Sequence, residues 1–226
     1  MNKVLQMLKL QQKLNDTTNG KDWEEGFTKN NKPINWKRCI YIECTELIES
    51  YPWKHWKDIN AQPDYDNIKI EVVDIWHFIM SQGLKEYKRD NKGTIGDLAQ
   101  MITNLPNFAL FKDCDACIEE DIYTQMSVIE LLIKDIFCEE PIEKILEVFL
   151  AIAIQSKLNL NALYQLYIGK NILNQFRQDH GYKDGTYNKF WDGEEDNAIM
   201  QNILALDKNI TPDGLYKVLK TFYERT

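Results

Sequence analysis

The sequence predicts an all-α fold, a single helical bundle over residues 1–226. Three observations carry that expectation. Gly and Pro are scarce, ten and six in 226 residues, where a turn-rich β protein would need more. Long Leu, Ile, Lys and Glu runs favour helix by intrinsic propensity. Finally, Ile118, Ile122, Met126, Ile129, Ile133 and Ile136 step by three and four, the spacing of one helix face. A chain of this length can bury a substantial core.

Residues 2–15 read as a first helix, with Val4, Leu5, Leu8 and Leu14 at roughly helical spacing. The polar stretch from Asp16 to Pro33, which contains Asn19-Gly20, reads as a loop. A second helix begins near Asn35 and ends before Pro52. A third occupies Asp64 to Asp90, and Gly93-Thr94-Ile95-Gly96 breaks it. After the Ile118–Ile136 stripe, Pro141 permits a fresh start. Ile142 to Leu158 is apolar nearly all round, which marks a central buried helix or a dimer interface. Leu160 to Gln178 follows as a helix, and Gly181 and Gly185 open a mobile loop. Thr211-Pro212 reads as the N-cap and first position of a last helix ending near Arg225.

Composition excludes some functions. A net charge of −8 argues against a general nucleic-acid binder, which needs a basic footprint. It leaves a nucleotide substrate open, because metals can supply positive charge. The longest unbroken apolar run, Val148 to Ile154, is too short to cross a bilayer. Cys39, Cys44, Cys114, Cys117 and Cys138 make an odd count, and Cys114-x-x-Cys117 lacks the second half of a zinc site. With no signal peptide evident, these thiols suit a reducing cytoplasm.

The chemistry lies in two acidic runs. Glu43 and Glu46, with Glu49 one turn on, share one helix face; Glu71 and Asp74 share another. Behind them Ile40, Cys44, Ile48 and Tyr51 can pack on one helix, and Ile68, Val72, Ile75 and Ile79 on the next. If those stripes meet, carboxylates from two helices face one small volume and repel unless cations sit between them. Hard cations with oxygen ligands, Mg²⁺ or Mn²⁺, suit such a set. A single ExxE is commonest on a solvated face. Here two pairs lie within apolar runs, and the i+4 positions, Leu47 and Ile75, offer no cation.

ExxE, twenty-four residues and then ExxD resembles the metal-binding signature of the all-α nucleoside triphosphate pyrophosphatases. The flanking blocks resemble the dimeric dUTPases: Gln12–Asn15, Trp53–Trp56, Asp74–Phe78, Gly169–Lys183 and Glu195–Asn197, in the family's order. The resemblance implies a Mg²⁺-dependent homodimer, with Mn²⁺ as a possible substitute, that hydrolyses dUTP and also dUDP. Its product would be dUMP, with pyrophosphate released from dUTP, which limits uracil incorporation into DNA. By the same resemblance Glu43, Glu46, Glu71 and Asp74 hold metal, and Glu43, with Glu49 second, orients the attacking water. Gln12 and Asn15 would read the uracil edge, and Trp53 or Trp56 would approach the base. His77 would contact the 3′-hydroxyl and Phe78 would crowd the 2′ position. Lys170, Asn174, Arg177, Tyr182, Lys183, Lys189 and Asn197 would bind the phosphate tail.

Taken without the family, several of these residues have plainer readings. Asn15 near a helix end reads as a cap, Trp53 and Trp56 as small-core anchors, and His77 as a packed core residue. The bases of the Gly169–Asn197 block read as snorkelling cations. Rotatable amides leave cytosine, hence dCTP or a broader substrate range, as an alternative. Asp74-x-x-His77 also has the spacing of a di-iron bundle, but neither His55 nor His180 completes a second Glu-x-x-His. A non-enzymatic helical adaptor would leave the convergent acids unexplained. No Ser–His or Cys–His arrangement is evident, so direct attack by water is expected.

Overall fold

The computed structural model describes residues 2–58, 60–113, 121–207 and 209–225. Among these it holds ten α-helices, one short 3₁₀ turn and a two-stranded hairpin, so the protein is all-α. It comprises two compact units, Met1–Leu163 and Tyr164–Thr226. No single described helix is long and apolar enough to cross a membrane. The Cys114-x-x-Cys117 motif and Ile118 lie outside the described residues.

The first unit opens with α1, Lys3–Asn19, in which the Asn2 side chain caps by accepting from the Val4 N–H. The helix therefore runs a full turn beyond the expected end, and Asn15 is a buried interior residue, not a cap. The next segment is not simply loop. A 3₁₀ turn, Trp23–Glu25, drives Trp23 fully into the core. Then come α2, Trp36–Glu49, and α3, Tyr65–Arg89, the two acidic helices. Each begins on a capping side chain: Asn35 accepts from Arg38 N at 2.9 Å and Asp64 from Asn67 N at 3.0 Å.

These two helices pack along their length. Ile40, Cys44 and Leu47 of α2 are buried, as are Ile68, Val72, Ile75 and Ile79 of α3. Burying each such aliphatic side chain stabilises by about 1.5–3 kcal/mol. The seam therefore fixes the rotation of both helices about their axes. Glu43 and Glu46 precede buried residues by one position and emerge at its rim.

Two short helices that the sequence reading did not anticipate follow: α4, Ile95–Thr103, with a Thr94/Asp97 capping box, and α5, Phe108–Asp113. The α6 helix, Ile122–Phe137, then packs on α7, Ile142–Gln155. The apolar run of α7 is satisfied within the chain. Ile142, Phe149, Leu150, Ile152 and Ala153 are all buried to 2% exposure or less. The interface alternative for α7 gives way to the core alternative. Among the helices that leave apolar side chains outside are α6 and α2, with Leu131, Phe137, Tyr41 and Ile42 exposed.

The second unit carries most of α8, Leu160–Asp179, a small hairpin, β1 Phe190–Trp191 and β2 Glu194–Glu195, then α9, Asp196–Leu206, and α10, Pro212–Tyr223. Thr211 caps α10 ahead of its N1 proline, as expected. The hairpin and α9 were not anticipated. A Cβ at Gly169 would meet Met200 Sδ and Leu204 Cδ1 at 2.6 Å, so glycine is what lets α9 approach α8 this closely. Phe176 anchors an aromatic cluster of His180, Tyr187, Trp191, Tyr216 and Tyr223.

Candidate active site

The seam between α2 and α3 delivers the expected convergence. Glu43, Glu46 and Glu71 each offer a carboxylate oxygen, and these oxygens all lie within 4.8 Å of one another. Glu43 is half-buried, Glu46 exposed and Glu71 buried, so the group grades from core to solvent. Asp74 stands one turn after Glu71, half-buried, outside this tight triad. Three carboxylates at that separation repel unless a positive ion shares the space. An all-oxygen donor set of this kind fits a hard divalent cation. The triad contains no histidine, so a di-iron site finds no support in it.

Glu49 is exposed and paired with Lys54, outside the triad, whereas Glu43 is one of its three members. Cys44, next to Glu43, is no nucleophile. Burial, reinforced by the neighbouring Glu43 charge, pushes its thiol well above the ordinary range, so it stays protonated.

The loop between the acidic helices is held by Ser50, whose Oγ accepts from Asn67 Nδ2 at 2.8 Å and whose carbonyl accepts from Asp64 N at 2.9 Å. It distinguishes the two tryptophans. Trp53 lines a cavity of about 450 Å³ together with Glu46, Glu49 and Glu71. Trp56 meets Trp53 edge-on at 5.6 Å but is 61% exposed.

On the buried side of α3 a polar knot joins α1 to α3. The Gln11 amide donates to Asn15 Oδ1 at 3.2 Å and to Ser81 Oγ at 3.1 Å. Asn15 Nδ2 donates to Ser81 Oγ at 2.9 Å, and Ser81 donates to the His77 carbonyl at 2.8 Å. His77 Nδ1 lies 2.7 Å from Gln11 Oε1. Asn15 and His77 are thus brought together, but by Gln11 and Ser81, which the sequence reading passed over. Gln12 instead donates to Asp16 at 3.0 Å and to Glu24 at 2.8 Å. Phe78 is half-buried and stacks on Trp36, ring centroids 6.0 Å apart.

A family described as dUTPase matches residues 3–182. The chain belongs to the dimeric, all-α dUTPase family. No curated protein matches it. Membership places the chain among nucleotide hydrolases acting on dUTP, in a family that typically uses a divalent metal. The acidic triad lies inside the matched region.

The dUTPase match ends at Tyr182, inside the cationic block of the second unit. There Arg177 is buried and clamps Asp196 with two bonds, Nε to Oδ2 at 2.8 Å and Nη2 to Oδ1 at 2.7 Å. Tyr187 donates to the same carboxylate at 2.7 Å. Lys170 is buried and donates to Asn197 Oδ1 at 3.0 Å. Asn174 accepts from Arg177 Nη1 at 3.3 Å, and Tyr182 takes cation–π contacts from Arg177 and Lys189. Lys183 and Lys189 are exposed. Arg177 was expected to grip phosphate, but two donors of its fork already grip Asp196. Asp196 sits within the Glu195–Asn197 block, and is fully buried at the start of α9.

Proposed function

We propose that the chain hydrolyses dUTP to dUMP and pyrophosphate with Mg²⁺ as its ion, and accepts dUDP as a second substrate. The single observation that carries this reading is the Glu43–Glu46–Glu71 triad bordering the Trp53 cavity within a dUTPase-family chain. The triad, with Asp74 a turn away, would hold the cation. When bound, it would neutralise phosphate charge and lower the pKa of water at the site. Glu43 orients the attacking water, and Trp53 walls the cavity beside the acids. Asn15 and His77, fixed by Gln11 and Ser81, present amide and imidazole groups to the nucleoside. Lys170, Lys183 and Lys189 supply positive charge for the phosphate tail, while Arg177 holds Asp196.

The experiment is a pyrophosphate-release panel over dUTP, dCTP, dTTP and UTP, with phosphate release from dUDP, each with Mg²⁺ and with chelator. Turnover of dUTP that needs Mg²⁺ and exceeds dCTP turnover by tenfold or more supports the reading. Equal turnover of dCTP replaces it with a broader pyrophosphatase. No metal-dependent turnover of any nucleotide overturns it.

We further propose a homodimer joined through α2 and α6. Leu131, Phe137, Tyr41 and Ile42 are exposed, and the Tyr41 and Phe137 rings meet at 5.6 Å, forming a joint apolar surface. Light scattering at micromolar protein is expected to give twice the 26.7 kDa chain mass, and Phe137→Lys to give the single chain mass. A wild-type mass near one chain overturns the dimer.

A further inference from the structure

Away from the acidic triad, a groove of about 630 Å³ opens between the start of α2, the end of α3 and the α6–α7 turn. We propose that this groove binds a small phosphate-type oxyanion, with Lys85 as its principal cation. The argument rests on how its charges pair. Four acids line it, and each already has a cation. Glu139 takes Lys37 at 2.7 Å, and Asp90 takes Arg89 at 2.7 Å. Glu86 takes Lys92 at 3.4 Å, and Glu140 takes Lys144 at 2.9 Å. Lys85 is the lining cation left over, with no ion pair or hydrogen bond among the described residues.

Its surroundings make that surplus costly. The side chain is half-buried, and its ammonium lies 3.4 Å from where a Cβ on Gly26 would stand. Burial is the largest influence lowering its pKa and Arg89 follows; Glu86 partly opposes them, Lys37 lowers it further, and Asp90 raises it least. Of these three cations Lys37 and Arg89 are held by Glu139 and Asp90, which leaves Lys85 the one without an anion of its own. An oxyanion seated there would relieve the repulsion and give Lys85 a charge-assisted hydrogen bond.

A second, independent observation sits in the same wall. Trp36 lines the groove and is 7% exposed, and its indole N–H is buried without an acceptor. The ring is pinned by Trp23 edge-on at 5.7 Å and by Phe78 stacked at 6.0 Å, so it cannot turn to find one. A buried donor left unsatisfied is disfavoured, and buried polar groups are rarely left so. An oxyanion seated at Lys85, with a small shift of the groove wall, would give that indole N–H an acceptor as well.

The test uses the full chain in chelator, so that metal-assisted phosphate binding elsewhere does not contribute. The indole N–H resonance of Trp36 is assigned by its loss in Trp36→Phe, then followed as inorganic phosphate and pyrophosphate are added. Saturable movement of that resonance is expected, with affinity falling at least tenfold in Lys85→Met and unchanged in Lys183→Ala. Lys85→Met keeps the aliphatic stem, so folding is expected to survive. A Trp36 resonance that does not move, or that titrates equally in Lys85→Met, overturns the site. Loss of binding in Lys183→Ala alone would move the anion to the second unit and equally overturn it.

Discussion

Glu71 and Asp196 are both buried carboxylates on helices, yet their surroundings are opposite in kind. Asp196 is fully buried and gripped by an Arg177 fork and a Tyr187 hydroxyl, a closed set of opposite charge. Glu71 is brought up against Glu43 and Glu46, a set of like charge. The first arrangement is complete as it stands and holds the second unit's helices in place. The second is a convergence of like charges that a bound cation would stabilise. Burial alone therefore does not mark a functional acid; the sign of its company does. Breaking either set should expose the difference.

The largest effect is expected at the like-charge set. Glu46→Gln and Glu71→Gln each remove one formal charge while keeping side-chain shape. Turnover of dUTP should fall by about a thousandfold, the scale of losing one strong electrostatic stabiliser. Asp74→Asn, one turn from the triad, should fall in the same direction. Thermal stability without metal should hold or rise, because repulsion is relieved. Near-normal turnover in both glutamine variants would remove the triad from the mechanism.

At the opposite-charge set the loss should appear in folding. Arg177→Ala strands a fully buried Asp196 and should destabilise by about 3–5 kcal/mol, read from urea denaturation. Arg177→Lys keeps the charge but loses the fork, so it should recover only part. Pairing Arg177→Met with Asp196→Leu should recover most of the stability, since an apolar replacement leaves no stranded charge. If Arg177→Ala instead folds normally and only raises the KM for dUTP, the guanidinium works on phosphate and the contrast with Glu71 collapses.

The exposed cations of the second unit should matter less. Lys183→Ala is expected to raise the KM for dUTP several-fold with unchanged stability, whereas Lys220→Ala, ion-paired with Glu224 at 3.6 Å on α10, should change neither. Equal effects of the two would show that Lys183 is an ordinary surface charge.

The legibility of these features in the sequence followed the range of the interactions that make them. Both acidic helices were legible because seam residues at i, i+3 and i+4 dictate their rotation, and Asn35 and Asp64 mark their starts. Convergence of Glu43, Glu46 and Glu71 follows from that local pattern plus one packing event. The Gln11–Ser81 contact was not legible, since it joins residues 70 apart in sequence. The Arg177–Asp196 clamp was not legible for the same reason: the partners lie 19 residues apart, across a hairpin too short to leave a periodic signal. The α7 run showed that the helix must be buried but not by what. Composition records apolarity, not whether the cover comes from α6 of the same chain.

The smallest effect concerns the tyrosines that join these sets to the rest of the fold. Tyr187 donates its proton to Asp196, and burial with that carboxylate pushes its phenol well above the ordinary value. Tyr51, near the end of the acidic helix, is pushed up to about 12 chiefly by burial, and Tyr216, which donates to Asp179, likewise to about 12. A phenol with a raised folded pKa holds its proton more tightly folded than unfolded. Its stabilising contribution is thus complete below the unfolded value near pH 10 and is lost as pH climbs toward and beyond 12. Absorbance at 295 nm should therefore show these phenols ionising late, and far-UV circular dichroism should fall over the same pH 10–12 window. Tyr187→Phe removes one such group; it should cost about 1 kcal/mol at neutral pH for the lost hydrogen bond, yet flatten the alkaline fall. Ionisation of all eleven tyrosines near pH 10 with helicity intact would show that the phenols around Asp196 and α2 are solvated, and that the closed set is less closed than its geometry implies.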